Sequence, residues 1–378
     1  MQRLDLATPE AAQHAAAIID DGGVVLLATD TTPALGARAD RPDALARLWE
    51  IKGLEPSPLA LHLPAAGRVR AAIDELITPS PIQALLIDRF FPGAIQLIVP
   101  AEPDRLEPWL TALGVEPGVV DTSGAALLRA PAHPAATALI TAAGGPVVMA
   151  SANTDDATPP RDLDGALARF TGGCVPTGVL AGGPDPAGQP STAVRFEPTG
   201  GLVVVREGLL EERFIRKRLE RTVLFVCTGN TCRSPMAAAI ARAAVEAAGP
   251  LAAGGVPIRV RSAGTTAAEG MPATPEAVEA VRSLGIAMGA HASTPLTRDL
   301  IESADDIFAM THSHRHMAQA IAPASGDRIR MLDPADADIP DPIGHPQPVY
   351  DETAERIREL VEQRLASITG TLPKVPAS

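Results

Sequence analysis

Cys227-Thr-Gly-Asn-Thr-Cys-Arg233-Ser234 sets five residues between a cysteine and an arginine, with a serine directly after. The cysteine closes an apolar run, and the arginine opens an Ala-rich stretch that reads as helix. A loop of this length can wrap its backbone N–H groups around a tetrahedral oxyanion at a helix N-terminus. The same field favours the thiolate of Cys227. Gly229, between Thr228 and Asn230, permits the tight loop. Arg233 offers a planar fork for two phosphoryl oxygens, and Ser234 can hydrogen-bond the sulfur. This pattern fits attack of Cys227 on phosphorus, giving a phosphocysteine that water hydrolyses. The leaving group then needs a general acid. Asp341, in the stiff Asp341-Pro342-Ile343-Gly344 loop, is the candidate.

A second set of residues lies in the first half of the chain. Thr29-Asp30-Thr31-Thr32 follows an apolar run, and its hydroxyls can grip a small polar ligand. Lys52-Gly53 ends a helical stretch, Ser151-Ala152-Asn153 follows another apolar run, and Pro190-Ser191-Thr192 precedes one. Each alone reads as a turn or cap. Together they place Lys, Ser, Asn and Thr at strand ends, where open α/β sheets bind ligands.

The elements that must carry these residues follow from pattern. Thr8-Pro9 starts a helix that runs to about Ile19 and stops at Gly22-Gly23. Val24 to Ala28, Leu59 to Leu63, Ile95 to Val99, Ala126 to Arg129 and Val147 to Ala150 read as strands, and Asp43 to Ile51 as helix. Thr192 to Phe196 and Leu202 to Val205 form a closing β pair across Pro198-Thr199-Gly200-Gly201. The expectation is an α/β domain with a mixed twisted sheet over residues 1–207. A charged helical linker, 208–221, carries the basic cluster Arg213, Arg216, Lys217, Arg218 and Arg221, which reads as a solvated face. Residues 222–370 alternate strand and helix, which implies a Rossmann-like domain with a parallel sheet. Its further elements are strands Ile258 to Arg261 and Ile307 to Met310, and helices Thr274 to Leu284 and Asp351 to Ile368. Residues 371–378 read as a frayed tail.

The 378 residues suit two domains, and 32 basic against 45 acidic side chains leave a net charge of −13. That balance argues against broad binding of a phosphate backbone. Three cysteines, Cys174, Cys227 and Cys232, build no disulfide framework. No signal pattern and no apolar run of ~20 residues is evident, so a cytoplasmic protein without a membrane span is expected. Lysine occurs at Lys52, Lys217 and Lys374 alone, every other basic residue being arginine. His312, His314 and His316 read as surface histidines, and no metal site is expected.

From Thr222 to about Ile368 the chain resembles the low-molecular-weight protein tyrosine phosphatase family. The resemblance rests on the Cys227 to Ser234 loop, on Val260-Arg261-Ser262-Ala263-Gly264 and on the Asp341-Pro342 acid loop. It is most similar to the bacterial protein-arginine phosphatases, which share this loop and a stretch like Ser303-Ala304-Asp305 followed by Ala309-Met310-Thr311-His312. The resemblance implies a phosphoprotein substrate and no cofactor. It implies that Thr231, where tyrosine-specific members carry a bulky aliphatic residue, leaves polar room for a guanidino group. It also implies a reversible Cys227–Cys232 disulfide under oxidation; a packed small residue is the other reading of Cys232. Ile343 departs from the aromatic residue usual after Asp-Pro. Arsenate reductase chemistry on this fold needs a further C-terminal cysteine, and none follows Cys232.

Residues 7 to 210 resemble the YrdC-like threonylcarbamoyl-AMP synthases. The matching pieces include Thr29-Asp30-Thr31, Ile51-Lys52-Gly53, Leu59-Ala60-Leu61-His62, Phe91-Pro92-Gly93 and Leu128-Arg129-Ala130-Pro131. Ser151-Ala152-Asn153, Ser191-Thr192 and Val205-Arg206-Glu207-Gly208 complete the order. The resemblance implies synthesis of threonylcarbamoyl-adenylate from threonine, bicarbonate and ATP with Mg²⁺, for modification of adenosine 37 in tRNA. Partners would then include tRNA or tRNA-modification proteins. Thr31, His62 and Ser191 would help hold threonine. Lys52, Arg129, Ser151, Asn153 and Arg206 would hold ATP phosphates and adenylate. Leu54 stands where the family has an arginine, Pro33-Ala34 replaces Tyr-Gly, Phe91 replaces Trp and Gln96 replaces Thr. Arg68 or Arg70 is the candidate substitute for the missing cation. The expectation is a bifunctional fusion. The alternative is a phosphatase whose YrdC-like domain is degenerate and serves as a nucleotide- or RNA-binding module.

Overall fold

A computed structural model describes residues 2–8, 10–153, 160–170, 174–252 and 256–369. The tail expected over 371–378 lies outside the described residues. The chain divides into two compact units, Met1–Lys217 and Arg218–Ser378.

The first unit is built on strands β1 (Gln2–Asp5), β2 (Val25–Leu27), β3 (Ala34–Arg38), β4 (Leu61–His62), β5 (Ile95–Pro100) and β6 (Asp121–Thr122). They are joined by β7 (Ala125–Arg129), β8 (Val147–Ser151), β9 (Gly178–Ala181), β10 (Thr192–Phe196) and β11 (Leu202–Arg206). The sheet order is β1-β9-β2-β3-β8-β4-β7-β5-β10-β11, with β6 beside β7. It is mixed: β3 runs antiparallel to both β2 and β8, while β4 pairs β7 and β5 pairs β10 in parallel. Successive residues of β2 enter opposite cores, Val25 and Leu27 on one face and Val24 and Leu26 on the other. That alternation explains the unbroken apolar run in the sequence. β10 and β11 form the expected antiparallel pair, and Gly200 in its turn takes a left-handed φ of 91°.

β3 is absent from the sequence reading. Ala34-Leu-Gly-Ala-Arg38 is buried along nearly its whole length but holds no β-branched residue. Its strand state comes from pairing on both sides, a tertiary effect that local preference does not register. The helix expected over 208–221 is confined to Glu212–Leu219, and Arg221 already belongs to the next strand.

The second unit has strands β12 (Arg221–Cys227), β13 (Ile258–Gly264), β14 (Asp306–Ala309) and β15 (Ile329–Met331). All are parallel, in the order β13-β12-β14-β15. Val223, Phe225 and Cys227 face one core with the helices Arg233–Ala252, Pro275–Ser283 and Gln347–Thr369. Leu224 and Val226 face the other. Chain order reverses at β12, because β13 lies on one side and β14 on the other. Ligands of open α/β sheets bind beyond the strand ends at such a switch point, and Cys227 is the last residue of β12.

Candidate active sites

In the second unit the loop from Cys227 to Arg233 joins β12 to the helix that Arg233 opens. Cys227 is buried, with Sγ 2.9 Å from Ser234 Oγ. A thiolate has no proton to give, so Ser234 donates to it in that form. Asn230 Nδ2 donates to the same Ser234 Oγ at 2.8 Å. Asn230 takes a left-handed φ of 55°, its Oδ1 accepts from Thr294 N at 2.8 Å, and its carbonyl lies 2.7 Å from His291 Nε2. The loop is thus tied to the segment after β13. Gly264 is required there, because a Cβ would meet Thr228 O at 2.4 Å and Asn230 N at 2.8 Å.

Arg233 is buried and its guanidinium is divided between partners. Nη1 donates to Ile339 O at 2.9 Å, and Nη2 donates to Asp341 Oδ2 and, at 3.4 Å, to Thr228 Oγ1. Its Nε has no hydrogen-bond partner among the described residues. The expected acid Asp341 therefore stands at the expected anion-binding fork, itself exposed. The described residues bring Cys227, Arg233, Ser234 and Asp341 to one place. Cys232 points elsewhere: its Sγ lies 3.6 Å from Thr274 Oγ1 and 3.7 Å from both Thr231 Oγ1 and Tyr350 OH. Burial, helped by Cys232, pushes the Tyr350 hydroxyl up to about 12. Cys227 and Cys232 are both thiols here.

The three histidines do not all lie on the surface. They sit on the helix His312–Ile321 rather than on a strand or loop, so neighbours two apart diverge. His312 faces outward to Asp336 and Asp338, at 3.0 and 2.8 Å, and these carboxylates hold its pKa above the ordinary value. His314 is buried against Thr228. His316 is exposed. Among the described residues no group of three His, Cys, Asp or Glu side chains could hold a metal ion. The basic linker cluster is largely paired as well: Arg213 meets Glu211, Arg216 meets Glu212, and Arg221 meets Asp306.

In the first unit a cleft of about 470 Å³ opens at the ends of β3, β4, β7 and β8. Thr31, Lys52, His62, Arg129, Ser151, Asn153, Ser191 and Arg206 all line it. Lys52 Nζ donates to Ser151 O at 2.7 Å, to Asn153 O at 2.8 Å and to Asn153 Oδ1 at 3.2 Å. Burial lowers its pKa to about 8. Arg129 Nη2 donates at 2.7 Å to both Asp30 Oδ1 and Thr31 Oγ1. Arg206 Nη2 donates to Ser191 O at 3.1 Å. His62 Nδ1 lies 2.8 Å from Ala60 O, so this nitrogen carries the proton of a neutral ring. Burial, with Arg129 nearby, pushes its pKa down to about 3. His62 Nε2, Arg129 Nε and Asp30 Oδ2 are buried without a hydrogen-bond partner among the described residues. Buried polar atoms left unpaired are costly, and three of them together fit a polar ligand.

Asp30, in the Thr29-Asp30-Thr31 stretch, is the ion-pair partner of Arg129. Leu54, Glu55 and Gln96 also line the cleft. Neither Arg68 nor Arg70 does: Arg68 lines a different cavity, and Arg70 pairs with Asp74 at 3.6 Å. Neither therefore replaces the missing cation. His291 and Thr294 escaped sequence reasoning, and His314 was read there as a surface residue, since only the fold brings the three to the Cys227 loop.

A buried cysteine at a strand end, with an arginine opening the helix that follows, makes a candidate cysteine-dependent, oxyanion-binding site. The first unit adds a strand-end cleft lined with cations and hydroxyls. Residues 17–208 match the Sua5/YciO/YrdC family, described as telomere recombination, and residues 222–374 match the low-molecular-weight phosphotyrosine protein phosphatase family. The chain belongs to both families. The threonylcarbamoyl-AMP synthase of Bacillus subtilis is 36% identical over 49% of this chain and 50% of its own length. The chain therefore spans about half the length of that relative. The protein-arginine-phosphatase of Bacillus subtilis is 39% identical over 37% of this chain and 92% of its own length. Among solved structures, the YwlE arginine phosphatase from Geobacillus stearothermophilus matches with 34% identity, 40% of this chain, 94% of that chain and a TM-score of 0.36.

Proposed function

We propose that the chain is a bifunctional cytoplasmic enzyme. The second unit is a protein phosphatase. The observation that carries this reading is the contact of Cys227 Sγ with Ser234 Oγ at 2.9 Å beside the Arg233 fork. Cys227 attacks phosphorus, the bond to the leaving group breaks, and Asp341 supplies the proton that group needs. Water then attacks the phosphocysteine, with Asp341 taking its proton, and inorganic phosphate leaves. Steady-state hydrolysis by wild type and Cys227→Ser tests this; turnover surviving in Cys227→Ser would sink the mechanism.

Within that reading phosphoarginine proteins are the preferred substrates over phosphotyrosine proteins. Thr231, a hydroxyl residue on the loop, supports this, as does the arginine-phosphatase relative. Relative kcat/KM on the two classes decides it. Thr231→Ile should shift the ratio toward tyrosine, and an unchanged ratio removes Thr231 from the argument.

The first unit is an L-threonylcarbamoyladenylate synthase that takes threonine, bicarbonate and MgATP and releases pyrophosphate. Lys52, Arg129 and Arg206 are the cations that would face the phosphates. Mg²⁺ would arrive on the triphosphate, as that ion prefers to do, and Glu55 and Ser151 are oxygen donors lining the cleft. Thr31, His62 and Ser191 would hold threonine. Its product would serve tRNA modification. Pyrophosphate release by the full chain, with each substrate omitted in turn, tests the assignment. A folded chain that releases none favours the other reading, a nucleotide- or RNA-binding module; Leu54 in the cleft is the observation behind it.

A further inference from the structure

His314 has no part in the chemistry so far. It is 5% exposed on the helix His312–Ile321, yet its Nε2 lies 2.8 Å from Oγ1 of Thr228, the residue after the nucleophile. Its Nδ1 lies 2.8 Å from Thr311 Oγ1, which also accepts from the His314 backbone N–H at 3.4 Å. Both ring nitrogens are engaged by hydroxyls. A neutral ring suits this, donating to one hydroxyl and accepting from the other. Burial, with the Arg233 charge nearby, lowers the pKa to about 4 against the opposing pull of Asp341 and Asp338. At neutral pH the ring is therefore uncharged.

Thr228 Oγ1 in turn accepts from Arg233 Nη2 at 3.4 Å. The same Nη2 donates to Asp341. A phosphoryl group that takes the fork displaces Asp341 from it. Nη1 then stays anchored on Ile339 O at 2.9 Å. Among the described residues, Thr228 Oγ1 is the partner that Nη2 keeps. Thr228 is exposed, and a threonine rotor on an exposed loop holds no fixed direction unless something buried pins it.

We propose that His314 is a positioning residue of the phosphatase site: by pinning the Thr228 hydroxyl it keeps Nη2 of Arg233 aimed at the anion pocket once Asp341 turns to the leaving group. The proposal rests on the phosphatase reading of Cys227. It explains why a buried histidine reaches the loop from a separate helix. It also gives Thr228, beside the nucleophile, a task of its own.

The test compares full-length wild type, His314→Leu, His314→Gln, Thr228→Val and the His314→Leu/Thr228→Val double variant. Each is assayed with p-nitrophenyl phosphate, with inorganic phosphate as the competitive inhibitor, and each is melted thermally. Leucine fills the space without either hydrogen bond, while a glutamine amide reaches as far as Nε2. We expect His314→Leu to raise the phosphate inhibition constant and lower kcat/KM by about tenfold. His314→Gln should recover most of that loss. The double variant should lose no more than either single one, because both remove one linkage. Additive losses, or an unchanged phosphate inhibition constant in His314→Leu, would overturn the proposal. Equal losses in the Leu and Gln variants, with equal falls in melting temperature, would make His314 a packing residue and overturn it too. A folded wild type that fails to hydrolyse the ester sinks the phosphatase reading along with it; an active wild type with additive variants sinks this proposal alone.

Discussion

On the proposed phosphatase reading, Asp341 and an incoming phosphoryl group compete for one guanidinium. In the resting site Arg233 donates to Asp341, so binding costs that contact and frees the carboxyl for the leaving group. Asp341→Asn removes the acid without removing the fork. We expect kcat to fall by about 10²–10⁴, most for leaving groups of high pKa, while phosphate inhibition is no weaker. Comparing phenyl phosphate with p-nitrophenyl phosphate checks this; an equal fall for both would remove Asp341 from the acid role. The opposite kind of test fits Leu54, which lines the first cleft at 41% exposure. Leu54→Arg adds a cation to that cleft, where neither Arg68 nor Arg70 is among the lining residues. We expect the KM for ATP in pyrophosphate release to fall by about tenfold, the worth of one charged hydrogen bond. An unchanged KM would show that Lys52, Arg129 and Arg206 already suffice.

Elements matter because each site sits where strands end. β13 reaches the Cys227 loop through Gly264, whose missing Cβ leaves room for Thr228 O. Gly264→Ala forces that backbone away, and a displacement of about an ångström can cost about 10²-fold in rate. We expect kcat/KM of the phosphatase to drop by that order while circular dichroism is unchanged; an unaffected rate would mean the loop yields freely. β4 is two residues long and delivers His62 to the cleft as a neutral ring. An unfolded imidazole takes its proton near pH 6.5, whereas folded His62 resists until about 3. Above 6.5 both states are neutral and stability is complete. Below it the unfolded chain gains a proton that the fold refuses, so stability falls by about 1.4 kcal/mol per pH unit until about pH 3. Both tryptophans, Trp49 and Trp109, lie in the first unit, so their fluorescence reports its unfolding. Urea midpoints between pH 7 and 5 should fall less steeply in His62→Gln than in wild type. Equal slopes would place the acid sensitivity elsewhere. The loop from Cys227 to Ser234 is contiguous, so its residue types disclosed it. The partners of Thr228 and Asn230 come from β14's following helix and from the segment after β13, which no local pattern joins. β3, Ala34-Leu-Gly-Ala-Arg38, was invisible for the same reason: its neighbours supply its strand state.

At the scale of the molecule, two families share one chain, and the residues described at each site come from one unit. The two chemistries also use unlike devices. On the proposed reading one centres on a sulfur nucleophile, the other on a polar cleft where His62 Nε2 and Arg129 Nε are buried without a hydrogen-bond partner among the described residues. Arg206 and Cys227 therefore make a reciprocal pair. Arg206 is exposed at the cleft and donates to Ser191 O, so its loss costs a ligand contact without opening a core. We expect Arg206→Ala to cut pyrophosphate release by about 10–100-fold, the range for a lost charged contact, and to leave phosphoester hydrolysis at the wild-type rate. Cys227→Ser should abolish hydrolysis and leave pyrophosphate release untouched. Both assays run on the same full-length preparations, so misfolding would show as joint loss. Should Arg206→Ala lower hydrolysis while its melting profile matches wild type, the cleft would govern the phosphatase. The first unit would then act as its ligand-sensing module, and the synthase would be the reading to abandon.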